Sequence, residues 1–146
     1  LIKNSIDYNV KMSLEVSIIV PDRVFWKDQA QEIIFPTITG QMGVLENHIP
    51  LLTGLDTGVM KVRQNADEWM AIAIMGGFAL VSENKITVLV NGAAVSSDID
   101  AQEAESVFLQ AKANLEKAAE GKETQDAEIQ YKKALARFEV TKPVAL

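Results

Sequence analysis

The 146-residue chain has no cysteine and a single histidine. The first absence removes disulfides, thiolate zinc sites, iron–sulfur clusters and thiol nucleophiles together, and it fits a compartment whose proteins do not depend on disulfides. The second leaves His48 unable to make a metal site by itself, so none is expected. Positive charge is also short. Fourteen basic against twenty acidic residues give a net charge of −6, with no basic field to hold a nucleic-acid backbone, and a nucleic-acid partner is not expected. The longest stretch without a charge, Trp69 to Ser82, falls short of the ~20 apolar residues a bilayer crossing needs, and Gly76-Gly77 interrupts it. The opening LIKNSIDYNVK has scattered lysines and no apolar block, unlike a secretory signal. Residues 1–11 read as an extension before a domain that starts at Met12 with the alternating MSLEVSIIV.

Catalytic signatures are missing as well. The chain has no glycine-rich phosphate loop followed by Lys and Ser or Thr, no GxSxG elbow and no HExxH pair. His48 sits in ENHIP, where Asn47 and Pro50 mark a turn, and it reads as a turn histidine bonded to nearby backbone. Catalysis would need a serine partner that the sequence does not identify. The carboxylate pairs Asp67-Glu68 and Asp98 with Asp100 are accounted for by loop solvation and helix capping. The chain alone is therefore not expected to be an enzyme.

What is present divides in two. Seven of the eight glycines and three of the four prolines precede Ala93, whereas Ala101 to Lys142 holds Gly121 alone and no proline. In the first part Leu14, Val16, Ile18 and Val20 alternate onto one face, as a half-buried strand requires, and Pro21-Asp22 ends the run. Further strand candidates are Glu32–Phe35, Gln41–Leu45, Gly58–Arg63, Trp69–Met75, Phe78–Ser82, Lys85–Val90 and Ala93–Val95. Strands this short and closely spaced favour an antiparallel sandwich or barrel. The tail changes period. Ala104, Phe108, Ala111, Leu115 and Ala118 or Ala119 share one helical face, and Ala127, Tyr131, Ala134 or Leu135, and Phe138 share another. Asp100 with Glu103 makes a capping pair that places the first helix start near Ala101, the polar connector GKETQ folds the helices into an antiparallel hairpin, and Pro143 ends it. The expected organisation is a sandwich over residues 12–98, a helix-turn-helix over 99–142 and a tail over 143–146.

Alanine-lined stripes bury little apolar area, so the hairpin is held weakly and is able to move. Its last helix presents Lys132, Lys133 and Arg137. These are either a solvated face whose cations suit the C-terminal end of the helix dipole, or a site for a partner with acidic loops. Gly40 and Gly43 bracket Gln41-Met42, and Gly76-Gly77 interrupts an apolar run. The glycines supply bulges or positive φ; a sharper alternative makes Met42, Val44, Met75 and Phe78 contact surfaces for another protein.

The segments GQMGVLENHIPLLTGLDTGVMKVR, EWMAIAIMGGFALV, KITVLVNGA and SDIDAQEA occur in that order, and from Met12 to about Val140 the chain resembles the epsilon-subunit family of F-type ATP synthases. The resemblance is greatest to the photosynthetic type, plastid before cyanobacterial. It implies a mainly β fold with α: an N-terminal ten-stranded antiparallel β-sandwich followed by a C-terminal antiparallel helical hairpin. It also implies a non-catalytic subunit at the foot of the rotor stalk. Its partners would be the gamma subunit and the ring of c subunits, and it would couple proton translocation to ATP synthesis at the thylakoid membrane. That place is peripheral, on the stromal or cytoplasmic side, with membrane association indirect through the complex.

Carried onto this chain, Gly40, Gln41, Met42, Gly43, Val44, Glu46, Asn47 and His48 match the family's loops that face the c-ring, Gln41 and His48 foremost. Met75, Gly76, Gly77 and Phe78 match a strand signature assigned to sandwich packing and gamma contact. The hairpin implies a switch between a compact state and an extended one that reaches the alpha and beta subunits and inhibits ATP hydrolysis, with Lys132, Lys133 and Arg137 near acidic segments of the head. Some bacterial relatives bind ATP through Ile-Asp-x-x-Arg-Ala. Here Ile99, Asp100, Ala101, Gln102, Glu103 and Ala104 occupy those places, and Glu103 in place of the arginine argues against ATP or any other cofactor. A free-standing adaptor or small-ligand carrier is the other class the fold permits.

Overall fold

A computed structural model of the chain describes residues 13–118 and 121–144, so the extension expected over residues 1–11 lies outside the described residues. Alternation in the sequence becomes alternation in burial. In β1 (Leu14–Val20) the residues Leu14, Val16, Ile18 and Val20 are buried while Glu15 is exposed. The same period runs through β8 (Gly77–Ser82) and β9 (Lys85–Val90), where Ala79, Val81, Ile86, Val88 and Val90 point inward. With β2 (Arg23–Ala30) and β5 (Leu51–Leu55) they form the first sheet, in the order β2-β1-β9-β8-β5. The second sheet has the order β10-β7-β6-β3-β4, from β3 (Glu32–Thr37), β4 (Gly40–Leu45), β6 (Gly58–Asn65), β7 (Glu68–Ile74) and β10 (Ala93–Val95).

This is a ten-stranded β-sandwich, and the barrel that periodicity alone left open is not formed. Every neighbouring pair is antiparallel except β1 with β9, which run parallel. Those two strands are joined by a long path through both sheets, so no tight turn forces them to oppose each other. Between the sheets Phe35, Leu14, Ile18, Ile33, Met60, Ile72, Ile74 and Ile86 are fully buried. Each such side chain contributes roughly 1.5–3 kcal/mol by leaving water, so most of the stability resides in this layer.

A short 3-10 turn at Ser96–Asp98 leads into α1 (Ala101–Lys117), whose N-cap is Asp100. One Asp100 carboxylate oxygen accepts the amides of Gln102 at 2.9 Å and Glu103 at 3.0 Å. Half of the expected capping box thus forms. Among the described residues the helix shows no return bond from Glu103 to the Asp100 amide. The second helix, α2 (Lys122–Glu139), begins immediately after Gly121, so KETQ is its first turn and not connector. Gly121 turns the chain at φ 105°, and the polar residues after it are sound helix formers once a turn is in place.

The hairpin lies on the outside of the second sheet. Ala136 and Val140 of α2 cover Ala73 of β7, with Val59, Ala71, Met75 and Ile99 around them. Between the helices Phe108 stands 5.7 Å from Tyr131 and 5.2 Å from Phe138, ring centre to ring centre. Aromatic contact therefore holds helix to helix, whereas docking on the sheet depends on alanine and valine. An alanine methyl contributes about 0.8 kcal/mol on burial, a fraction of what each large core residue provides.

Candidate functional site

Apolar side chains on the outward face of the first sheet are not covered. Strand register places Val24, Ile19, Leu89 and Phe78 side by side across β2, β1, β9 and β8, with Gly54 of β5 closing the row. A second row aligns Leu80 with Leu52 on one side and Thr87 on the other. Leu52 is 69% exposed and Phe78 58%, and Val24, Leu80 and Leu89 are each at least half exposed. An open groove of about 400 Å³ runs beside them between Pro21, Phe78, Leu89 and Asn91. Contiguous apolar rows on one sheet face mark a surface for another protein, in contrast to single scattered residues. Sequence alternation counts these positions as the solvent side of their strands; the signal was that the solvent side carries Leu and Phe where Lys, Glu or Thr would normally stand.

The Met75–Phe78 tetrapeptide divides between packing and contact. Met75 packs under the hairpin, and its amide donates to the Gly92 carbonyl at 2.9 Å. Gly76 has φ 61° and its carbonyl accepts the Asn91 amide at 3.1 Å. Gly77 has φ 149°, and a Cβ there would overlap the Leu89 carbonyl and lie 2.8 Å from Val90 Cα. These glycines let β8 start hard against β9, and Phe78 is thereby presented on the open face.

The eight expected contact residues between Gly40 and His48 are not one loop. Gly40 to Leu45 is the edge strand β4, paired with β3 through Thr37 and Gly40 at the hairpin end and Glu32 and Leu45 at the other. Val44 is 0% exposed, a member of the core, which corrects its expected place on a contact loop: it alternates inward beside Ile33. Gln41, Gly40 and Gly43 are exposed and Met42 is half-buried. Glu46, Asn47 and His48 follow β4 at its far end, roughly 17 Å from the hairpin tip at 3.3 Å per residue. That end is pinned: Asn47, at φ 61°, donates its amide to the Asn84 side chain at 2.6 Å. The His48 Nδ1 bonds to the Ile49 carbonyl at 2.7 Å, the turn role read from ENHIP. One Glu46 carboxylate oxygen is turned inward without a partner. Gln41 and His48 thus belong to opposite ends of the sandwich. Exposed isoleucines stand beside each, Ile38 at the hairpin tip and Ile49 next to His48, and neither was expected.

On α2 the three cations face different surroundings. Lys132 Nζ lies 3.1 Å from the Asp56 carboxylate. Arg137 lines a cavity of about 60 Å³ with Ile99, Asp100, Glu103, Ala104, Val107 and Ala134. Lys133 is half-buried. Among the described residues no cluster of three or more metal-binding side chains is found, and no helix is long and apolar enough to cross a membrane.

Comparison with known proteins bears on both halves of the chain. Residues 13–96 match the family model described as ATP synthase, Delta/Epsilon chain, beta-sandwich domain, and residues 97–142 the companion long alpha-helix domain. An ATP synthase epsilon chain, chloroplastic, from Tetradesmus obliquus is 53% identical over 133 residues, 91% of this chain and 97% of the relative. An ATP synthase epsilon chain from Prochloron didemni is 50% identical over 131 residues, 88% of this chain and 96% of the other. A chain in the cryo-EM structure of the Euglena gracilis mitochondrial ATP synthase, OSCP/F1/c-ring, superposes with a TM-score of 0.72 at 23% identity, covering 90% of this chain and 81% of that one, which is likeness of fold.

Proposed function

This chain belongs to the ATP synthase delta/epsilon family, and from that membership we propose that it is the small rotor-stalk subunit that couples proton-driven rotation to ATP synthesis and restrains ATP hydrolysis through its helical hairpin. The observation that carries the reading is the distribution of covered and uncovered surface. One sheet face is closed by the protein's own hairpin, whereas the other presents the apolar rows of Val24, Leu89, Phe78, Leu80 and Leu52 for a partner. That partner is the gamma subunit. His48 and Ile49 lead into the edge strand that carries Leu52, so their loop extends the same surface. Gln41, with Gly40 and Ile38, stands at the hairpin tip on the opposite end and makes the contact with the c-ring. The subunit resides at the thylakoid membrane of a plastid on its stromal side, attached through the complex.

The brake follows from unequal packing. A hairpin docked through Ala73, Ala136 and Val140 separates from the sandwich at far smaller cost than any strand of the core. Extended, it carries Lys132, Lys133 and Arg137 to acidic segments of the alpha and beta subunits, an attraction that salt weakens. Adding the full-length chain to a catalytic head containing gamma is expected to lower ATP hydrolysis, whereas the chain truncated after Glu123 binds without lowering it. Equal inhibition by both would remove the hairpin from the mechanism.

The start of the hairpin is not built to hold a nucleotide. Asp100 and Glu103 set two carboxylates against the single cation Arg137, and the cavity they line, about 60 Å³, is far below the ~300 Å³ at which small-molecule sites begin. Titration calorimetry with ATP up to about 1 mM is expected to give no binding heat, in the range where a dissociation constant corresponds to about 4 kcal/mol. Saturable heat would reverse this reading.

A further inference from the structure

The hairpin and the sandwich are bridged by a charge contact that neither sequence period foreshadowed. Lys132, midway along α2, reaches Asp56 in the short loop between β5 and β6, with its ammonium 3.1 and 3.3 Å from the two carboxylate oxygens. We propose that the Asp56–Lys132 ion pair is a latch that holds the hairpin on the sandwich and gates its release.

The loop that carries Asp56 is held by contacts that do not involve the lysine. The Asp56 amide donates to the Pro36 carbonyl at 3.0 Å, and one Asp56 carboxylate oxygen accepts the Thr57 amide at 2.9 Å. A side chain at the next position, Gly58, would come within 3.0 Å of Pro36 Cβ, so the loop lies tightly on β3. The carboxylate is therefore preorganised, and the entropy lost on pairing falls mainly on the lysine. The pair is half open to water, with side-chain exposures of 51% for Lys132 and 33% for Asp56. Its individual strength is modest, yet it acts beside a small alanine-and-valine seal. Small gains decide an equilibrium whose other contributions are small.

Pro36 belongs to β3, whose hairpin with β4 carries Gln41. Pro36 pairs directly with Gln41, so the latch is anchored near the tip of the same hairpin that, in the function proposed above, meets the c-ring. On that reading Lys132 serves two alternative partners, Asp56 when the hairpin is down and an acidic segment of the head when it is extended. One ammonium cannot occupy both places, so release from Asp56 must precede engagement.

The test needs no partner and so stands apart from the reading on which the two-partner scheme rests. The chain has no native cysteine, which makes a single introduced thiol a clean reporter. Ala73→Cys puts it beneath the hairpin, and Ala79→Cys, in a separate sample, puts it inside the sandwich core. At about 0.01 M sodium chloride, Asp56→Asn or Lys132→Gln is expected to speed labelling at position 73 by about two- to five-fold, the range an exposed ion pair provides, with labelling at position 79 unchanged. Raising the salt to about 1 M should accelerate labelling of the Ala73→Cys parent but leave the Lys132→Gln version unaffected. Unchanged rates at position 73, equal acceleration at 73 and 79, or the same salt response with and without Lys132 would each overturn the latch.

Discussion

Replacing Gly77 by alanine is expected to unfold the sandwich or lower its stability by about 4 kcal/mol or more, a melting temperature fall of roughly 10 °C or complete loss of soluble chain. Two independent effects act at this residue. Its φ of 149° is one that L side chains rarely adopt, and the added methyl would occupy the space of the Leu89 carbonyl while sitting 2.8 Å from Val90 Cα. The obstacle is backbone and cannot rotate aside. Because Gly77 pairs with both Leu55 and Val90, moving the neighbours would disturb β5 and β9 as well as β8. Gly54 provides the comparison, since a Cβ there meets nothing within 4 Å. Its change to alanine should cost little. Thermal and denaturant unfolding of the two variants, compared with the parent, would settle the contrast, and near-equal midpoints would contradict the geometry.

One residue further along, the expected loss is of binding and not of stability. Phe78 and Leu89 are cross-strand neighbours on the open face. A double variant, Phe78→Glu with Leu89→Lys, replaces an apolar pair by an opposite-charge pair, which cross-strand geometry favours. The fold should therefore be retained, with stability changing by about 1 kcal/mol or less. Affinity for a gamma-containing head should fall by roughly 100-fold, because truncating or charging a central apolar contact typically removes 2–4 kcal/mol. Surface-immobilised heads would report the change as faster dissociation. Binding within a few-fold of the parent would move the gamma surface elsewhere on the molecule.

Eight of the ten strands were legible in the sequence. Short apolar or alternating runs between turn signals located β1, β3, β4 and β6 to β10; β7 reads as a continuous run because Ile72 and Ile74 face the core while Ala73 lies under the hairpin. The same signals passed over β2 and β5, the two edges of the first sheet. In β2 the run Lys27-Asp28-Gln29 is exposed on consecutive positions, and β5 is a five-residue strand containing Thr53 and Gly54. Edge position alone did not hide them, since β4 and β10, the edges of the second sheet, were located; what β2 and β5 lack is a regular apolar–polar period bounded by clear turns. The family resemblance supplied the number ten where periodicity could not.

The interaction surfaces were less legible. Motif matching joined Gln41 to His48 because they are near in sequence, and extended backbone carries them to opposite ends. Val44 was placed on the surface by its neighbours, although its own alternation with Ile33 puts it inside. The pairing of Asp56 with Lys132 spans 76 positions, and no local pattern connects a loop carboxylate to a helical lysine so distant in the chain. Local capping was the reverse case: Asp100 and the amides it accepts are neighbours, and the helix start at Ala101 was readable directly.

The open rows of Val24, Leu89, Phe78, Leu80 and Leu52 also govern the life of the chain before it is assembled. A lone copy must keep Phe78 and four large aliphatic residues in water, and two copies relieve that cost most simply by meeting face to face. The orphan chain should consequently self-associate as its concentration rises, in competition with its proper neighbour. Production in step with the partner that covers this face is the expected consequence: surplus copies should be drawn to chaperones and proteases, because the face proposed to bind the stalk is also the one an unassembled copy leaves open.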